Sequence, residues 1–168
     1  MNNTTRVLLV AAIAVGLAAC TKKTVPEAPA AQPQQPATQA AVDDGKYGPE
    51  DLDTDACLKQ RTVYFDFDQD AVKPEFQAIM ACHAKYLQDR PESRITLEGN
   101  ADERGSREYN LGLGERRGNA VSGALQAAGG SAGQLTVVSY GEERPVDTAS
   151  TEEAWAKNRR VEIVYTAR

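Results

Sequence analysis

The residues with the clearest chemical promise lie in one stretch. Asn110, Leu113, Arg117 and Val121 recur at three- and four-residue steps, which places them on one face of a helix. Arg117 therefore falls inside an apolar stripe, between Leu113 and Val121. A guanidinium there must be paired or must stand at the mouth of a pocket, because burying it alone is prohibitive. Just upstream, Gly99-Asn100-Ala101-Asp102-Glu103-Arg104-Gly105 presents carboxylates where a strand ends. A carboxylate at a strand-to-helix junction can accept N–H bonds from the start of the helix. Two readings follow. In the first, Asp102 caps the helix and pairs with Arg117, and the cluster is structural. In the second, the cluster grips a zwitterion, Asp102 holding an ammonium and Arg117 a carboxylate.

Other reactive residues point to less. Gly112-Leu113-Gly114-Glu115-Arg116-Arg117-Gly118 imitates a nucleotide loop, but it has arginine where a dinucleotide fingerprint needs glycine, and it lies inside a helical pattern. Close packing or ligand access explains these glycines better. Asp66, Asp68 and Asp70 lack the glycine and terminal glutamate of a calcium loop and read as a solvated strand face. Cys57 and Cys82 are an even pair suited to a disulfide in an oxidising compartment, closing a loop of about 25 residues worth roughly 3 kcal/mol. Two free thiols, or a metal site with His83, are the alternatives. Adjacent helix positions 82 and 83 diverge by about 100°, and no fourth ligand is evident. His83, the chain's one histidine, reads as a half-buried packing residue, and Trp155 as a core or lid anchor.

The chain has 168 residues, 41% apolar and 26% charged, with a formal net charge of −5. That is enough for one packed domain and too little for a multidomain enzyme. The acidic balance argues against a nucleic-acid partner. A single histidine makes histidine-based catalysis and multi-histidine metal sites improbable.

The elements that must position these residues can be read from periodicity. Val63, Phe65 and Phe67 alternate with Tyr64, Asp66 and Asp68, as in a half-buried strand. Pro74 opens a helix whose stripe is Phe76, Ile79, Met80, His83, Tyr86 and Leu87. A second strand spans 94–98. A long helix follows over 106–127, stopped by Gly129-Gly130. A third strand covers 135–140, a short helix 152–157 and a last strand 160–166. Strands alternating with helices predict an α/β (α+β) sandwich, one sheet covered by helices on one face.

The N-terminal part is organised differently. Arg6 and the apolar run from Val7 to Ala18 read as a targeting segment. Leu17-Ala18-Ala19-Cys20 resembles a bacterial lipobox, which makes 1–19 a signal peptide and Cys20 a lipidated N-terminus. Thr21 in place of aspartate after the cysteine resembles lipoproteins sent to the outer membrane. Residues 20–50 are rich in Pro, Ala and Gln and form a tether without a core of its own. The folded domain is then 51–168.

Several motifs carry a resemblance: Tyr64-Phe65-Asp66-Phe67-Asp68, Glu98-Gly99-Asn100-Ala101-Asp102-Glu103-Arg104-Gly105, Glu108-Tyr109-Asn110, Leu113-Gly114-Glu115-Arg116-Arg117, Ser139-Tyr140-Gly141-Glu142-Glu143 and Asn158-Arg159-Arg160. From about residue 60 to the end, the chain closely resembles the OmpA-like family of cell-wall-binding domains, and its lipobox and tether fit the lipid-anchored members. The resemblance implies a βαβαβ(α)β domain with a mixed sheet. It implies non-covalent binding of peptidoglycan through the free end of meso-diaminopimelate in the stem peptide. Residue by residue, Asp68, Asp102, Asn110, Leu113, Arg117 and Arg159 match the family's ligand-binding positions. It also implies S-diacylglycerol and N-acyl groups on Cys20, no other cofactor and no metal. The implied location is the outer membrane, with the domain in the periplasm. The implied partners are a TolB-type propeller protein and other members of the Tol–Pal system, which serves envelope integrity and constriction at division. TolB would bind over a surface overlapping the wall site.

A binding module is thus the expectation. A wall hydrolase would need two positioned carboxylates or a nucleophile–base pair, and no such pair is legible. A docking domain that has lost wall binding would not need Asp102, Asn110, Arg117 and Arg159 together.

Overall fold

A computed structural model describes residues 45–168. The expected signal peptide, Cys20 and the expected tether up to residue 44 lie outside the described residues. In chain order the elements are α1 (Asp51–Thr54), β1 (Thr62–Tyr64), a 3-10 turn (Pro74–Phe76), α2 (Gln77–Asp89), β2 (Arg94–Asn100), α3 (Arg107–Ala127), a second 3-10 turn (Ala132–Gln134), β3 (Leu135–Gly141), α4 (Glu152–Asn158) and β4 (Arg160–Ala167). The strands form one mixed sheet of order β1-β4-β2-β3. β2 and β3 run parallel, while β4 is antiparallel to both β1 and β2.

Period-two alternation decides which face of the sheet is dry. Ile95 and Leu97 of β2 and Val161 and Ile163 of β4 join Ile79, Met80 and Leu87 of α2 and Val121 and Leu125 of α3 in one core. The intervening residues, such as Glu98 and Glu162, stand on the opposite face, where the two face each other across the β2–β4 ladder. A smaller cluster of Leu52, Leu58 and Tyr86 fastens α1 and the turn after it to α2. The Cys57–Cys82 disulfide joins the same two segments, with Cα atoms 6.3 Å apart.

α3 lies unusually close to the sheet. A Cβ on Gly99 would fall 1.9 Å from Gly114 O, and one on Gly118 would fall 2.5 Å from Val137 Cγ1. Glycines at positions 114 and 118 are therefore a packing requirement of the helix–sheet crossing, not a nucleotide motif. At the far end of α3, Gly129 takes φ +104°, the left-handed geometry that ends a helix without a Cβ clash.

Three expectations need correction. The first strand is shorter than its alternation suggests. Phe65 still bonds through its N–H to Arg159 O at 2.9 Å and is buried, but the chain then turns, leaving Phe67 55% exposed. The turn passes through Asp68 at φ +55°, the one non-glycine positive φ among the described residues. His83 is fully buried, not half-buried, because both ring nitrogens have partners: Gln60 O at 3.0 Å and the Tyr165 hydroxyl at 2.8 Å. Asp102 does not cap α3. Ser106 does, its hydroxyl oxygen accepting the Tyr109 N–H at 3.2 Å.

Candidate functional site

A cleft of about 210 Å³ opens where the turn after β1, the loop after β2 and the first turns of α3 meet. Phe67, Asp68, Asp102, Arg104, Gly105, Tyr109, Leu113 and Arg117 line it. The topology explains the meeting. β2 is a central strand, so its C-terminal end delivers Asn100 to Asp102 to the middle of the sheet edge, and the glycine crossing draws α3 down beside it.

Arg117 is fully buried along its length. Its guanidinium donates to three main-chain carbonyls: Gln69 O at 2.8 Å, Asn100 O at 2.9 Å and Asp66 O at 3.1 Å. The Phe65 ring lies 5.2 Å from its Cζ. It forms no ion pair among the described residues, so the expected Asp102–Arg117 pair is absent. Carbonyl partners satisfy N–H groups without cancelling charge. Burial accordingly draws its pKa down to about 10, against the pull of Asp102. A cation paired only with dipoles at a cleft wall suits an anionic ligand, which would restore the missing counter-charge.

Asp102 has taken other partners. Oδ2 accepts from Arg104 Nη2 at 2.7 Å and Arg159 Nη1 at 3.2 Å, and Oδ1 accepts the Arg104 N–H at 3.1 Å. Burial pushes this carboxyl up, but the bonds from Arg104 and Arg159 outweigh it and hold the carboxyl below its usual range. Asp102 is thus an anion at any physiological pH, yet already embraced by two guanidinium groups.

Asp68 is the contrasting carboxylate. It is exposed and makes no ion pair among the described residues, and the hydroxyl of Tyr109 donates to it. The backbone on either side is clamped by Arg117 through Asp66 O and Gln69 O. The ion pair of Asp70 with Arg116, 3.2 Å, adds a third tie from this turn to α3.

Of the six residues matched by sequence, Asp68, Asp102, Leu113 and Arg117 line the cleft and two do not. Asn110 is buried, with its amide donating to the Glu142 carboxylate. Arg159 is spent on Phe65 O at 3.0 Å, Asp102 and Glu152 at 2.8 Å, and so orients Asp102 from behind. The lining residues that sequence reasoning did not single out are Phe67, Arg104, Gly105 and Tyr109. Arg104 lies between the rings of Phe67 and Trp155, 4.1 Å from each, and stiffens the rim. Trp155 is half-buried and belongs to this rim, its Nε1 donating to Glu103 Oε1 at 3.0 Å. Arg104 stood inside the loop motif two residues after Asp102. Tyr109 stood beside Asn110 but off the apolar stripe. Among the described residues, no group of three or more His, Cys, Asp or Glu side chains is placed to hold a metal ion.

Known proteins share both the sequence and the fold. The model of the OmpA family matches residues 64–159. The peptidoglycan-associated lipoprotein of Pasteurella multocida (strain Pm70) is 39% identical over 165 residues, 98% of this chain and 100% of that protein. That of Pseudomonas putida is 50% identical over 113 residues, 67% of this chain and 68% of that one. The crystal structure of the peptidoglycan-associated lipoprotein from Burkholderia pseudomallei matches with a TM-score of 0.67 at 44% identity, covering 68% of this chain and 98% of that one. With relatives alike over nearly its whole length and a fold in common, the chain belongs to the OmpA family and, within it, to the peptidoglycan-associated lipoproteins.

Proposed function

We propose that the domain binds peptidoglycan non-covalently in the cleft, gripping the free end of meso-diaminopimelate in the stem peptide, and performs no catalysis. One observation carries this reading: Arg117 reaches the cleft wall as a buried cation with only carbonyl partners, while the carboxylate of Asp68 stands at the rim without a cation. The side-chain end of diaminopimelate bears an amine and a carboxylate on one carbon. Its carboxylate would complete Arg117, and its ammonium would meet Asp68 and the charge of Asp102. Each charge-assisted bond is worth roughly 1.5–3 kcal/mol, so two or three give a modest affinity suited to a link that detaches and rebinds.

The remainder of the proposal rests on the lipobox-like sequence and the kinship. Cys20 would carry S-diacylglycerol and an amide-linked acyl chain, which together hold firmly where one chain would not. The lipid would anchor the protein in the outer membrane with its domain in the periplasm. A TolB-type propeller protein and the other Tol–Pal members would be its protein partners in envelope integrity and constriction.

The test is co-sedimentation of the full chain, in detergent, with purified sacculi. Wild type should pellet, and Asp68→Asn and Arg117→Ala should pellet several-fold less. Asp68 is exposed, so Asp68→Asn keeps the experiment decisive if loss of the buried Arg117 harms folding, which circular dichroism would reveal. Undiminished pelleting of Asp68→Asn would remove the zwitterion grip. Clearing of the sacculi would replace a binding module with a hydrolase.

A further inference from the structure

The turn after β1 is unusual in holding Asp68 at φ +55° with three ties to α3 around it. A fourth tie differs from these. Tyr109, in the first turn of α3, donates its hydroxyl to Asp68, another residue of the cleft lining. Both residues line that cleft, and both are exposed, Tyr109 at 45%. The other three ties leave the side-chain carboxylate of Asp68 untouched, whereas the Tyr109 bond occupies it. Among the described residues, the phenol is the one hydrogen-bond donor that the Asp68 carboxylate has.

Resting on the function proposed above, we infer that the Tyr109 hydroxyl is a bar across the cleft, a neutral stand-in that the ammonium of the ligand displaces from Asp68. A carboxylate left bare at the rim would attract any passing amine or metal cation. A phenol donor satisfies one oxygen without cancelling its charge, so a true cation outcompetes it. The barred form binds ligand only after opening, and apparent affinity falls by the fraction of molecules that are open. In this barred position Arg116 lies over the Tyr109 ring, 5.5 Å from its centre.

This makes Tyr109 a positioning residue whose removal helps. Titrating the full chain, in detergent, with a soluble muropeptide that ends in diaminopimelate should show Tyr109→Phe binding roughly threefold to tenfold more tightly than wild type, the worth of one ordinary hydrogen bond. The same muropeptide with its terminal amine acetylated carries no cation for Asp68, and Tyr109→Phe should gain nothing with it. A merely structural role for the phenol would shift both ligands alike. If wild type binds the muropeptide and Tyr109→Phe binds equally or more weakly, the bar is overturned and the reading of the site survives. If wild type itself does not bind, the reading of the site falls, and the bar with it.

Discussion

Arg117 and His83 are both buried ionisable residues, and the protein treats them in opposite ways. Arg117 stays charged because three carbonyl oxygens replace its water, and the uncancelled charge is what the cleft has to offer. His83 stays neutral. Gln60 O can only accept, so Nε2 carries the proton and Nδ1 accepts from the Tyr165 hydroxyl. Burial, helped by nearby Arg61, outweighs the bond to Gln60 and holds its pKa below the usual value. The unfolded chain therefore takes up a proton near pH 6.5, before the folded one does. Stability should be complete above about pH 6.5 and should fall as the pH drops below it. Urea midpoints measured from pH 7.5 down to 5.5 should slope downward in wild type and flatten in His83→Gln. An equal slope in the variant would assign the effect to another group. Residue identities at the site were partly legible, since Arg117 in an apolar stripe demands a special environment. Partner choice was not. Asp102 turned to Arg104 and Arg159, and loop side chains such as Arg104 follow no period from which a direction could be read.

At the scale of elements, the two long helices were legible from an apolar stripe followed by a stop signal, and β2 and β4 from the alternation of Ile95 and Leu97 and of Val161 and Ile163. β1 is shorter than its sequence indicates, because the alternation continues through Phe67 while the extended backbone does not. The left-handed turn at Asp68 cannot be seen in a run of apolar and acidic residues. The α3–sheet crossing is where an element-scale change should matter most. A Cβ on Gly114 would lie 2.4 Å from Ser139 Oγ and 2.9 Å from Gly99 O. Gly114→Ala should therefore destabilise by about 1–3 kcal/mol despite the better helix propensity of alanine. It should also weaken ligand binding, because any retreat of α3 carries Leu113 and Arg117 with it. Gly123, with nothing within 4 Å of its Cβ direction, is the control. Gly123→Ala should be neutral or stabilising by up to about 1 kcal/mol, with both variants compared by thermal unfolding.

For the whole molecule, the proposed function separates anchoring from recognition. If Cys20 carries the lipid, Cys20→Ser should leave a soluble or inner-membrane-retained precursor whose domain still pellets with sacculi. Fractionation of the envelope checks the first half and co-sedimentation the second, and normal appearance of the variant in the outer membrane would refute the lipid assignment. The Cys57–Cys82 bond adds something that stability alone does not describe. It closes a covalent ring that contains β1, the whole exposed turn bearing Phe67 and Asp68, and the start of α2. A protease that cuts anywhere inside that ring breaks one peptide bond and releases nothing. The half of the molecule joined to the N-terminus and the half that carries Arg117 remain one covalent object, so a nicked protein would still bear load between its two ends.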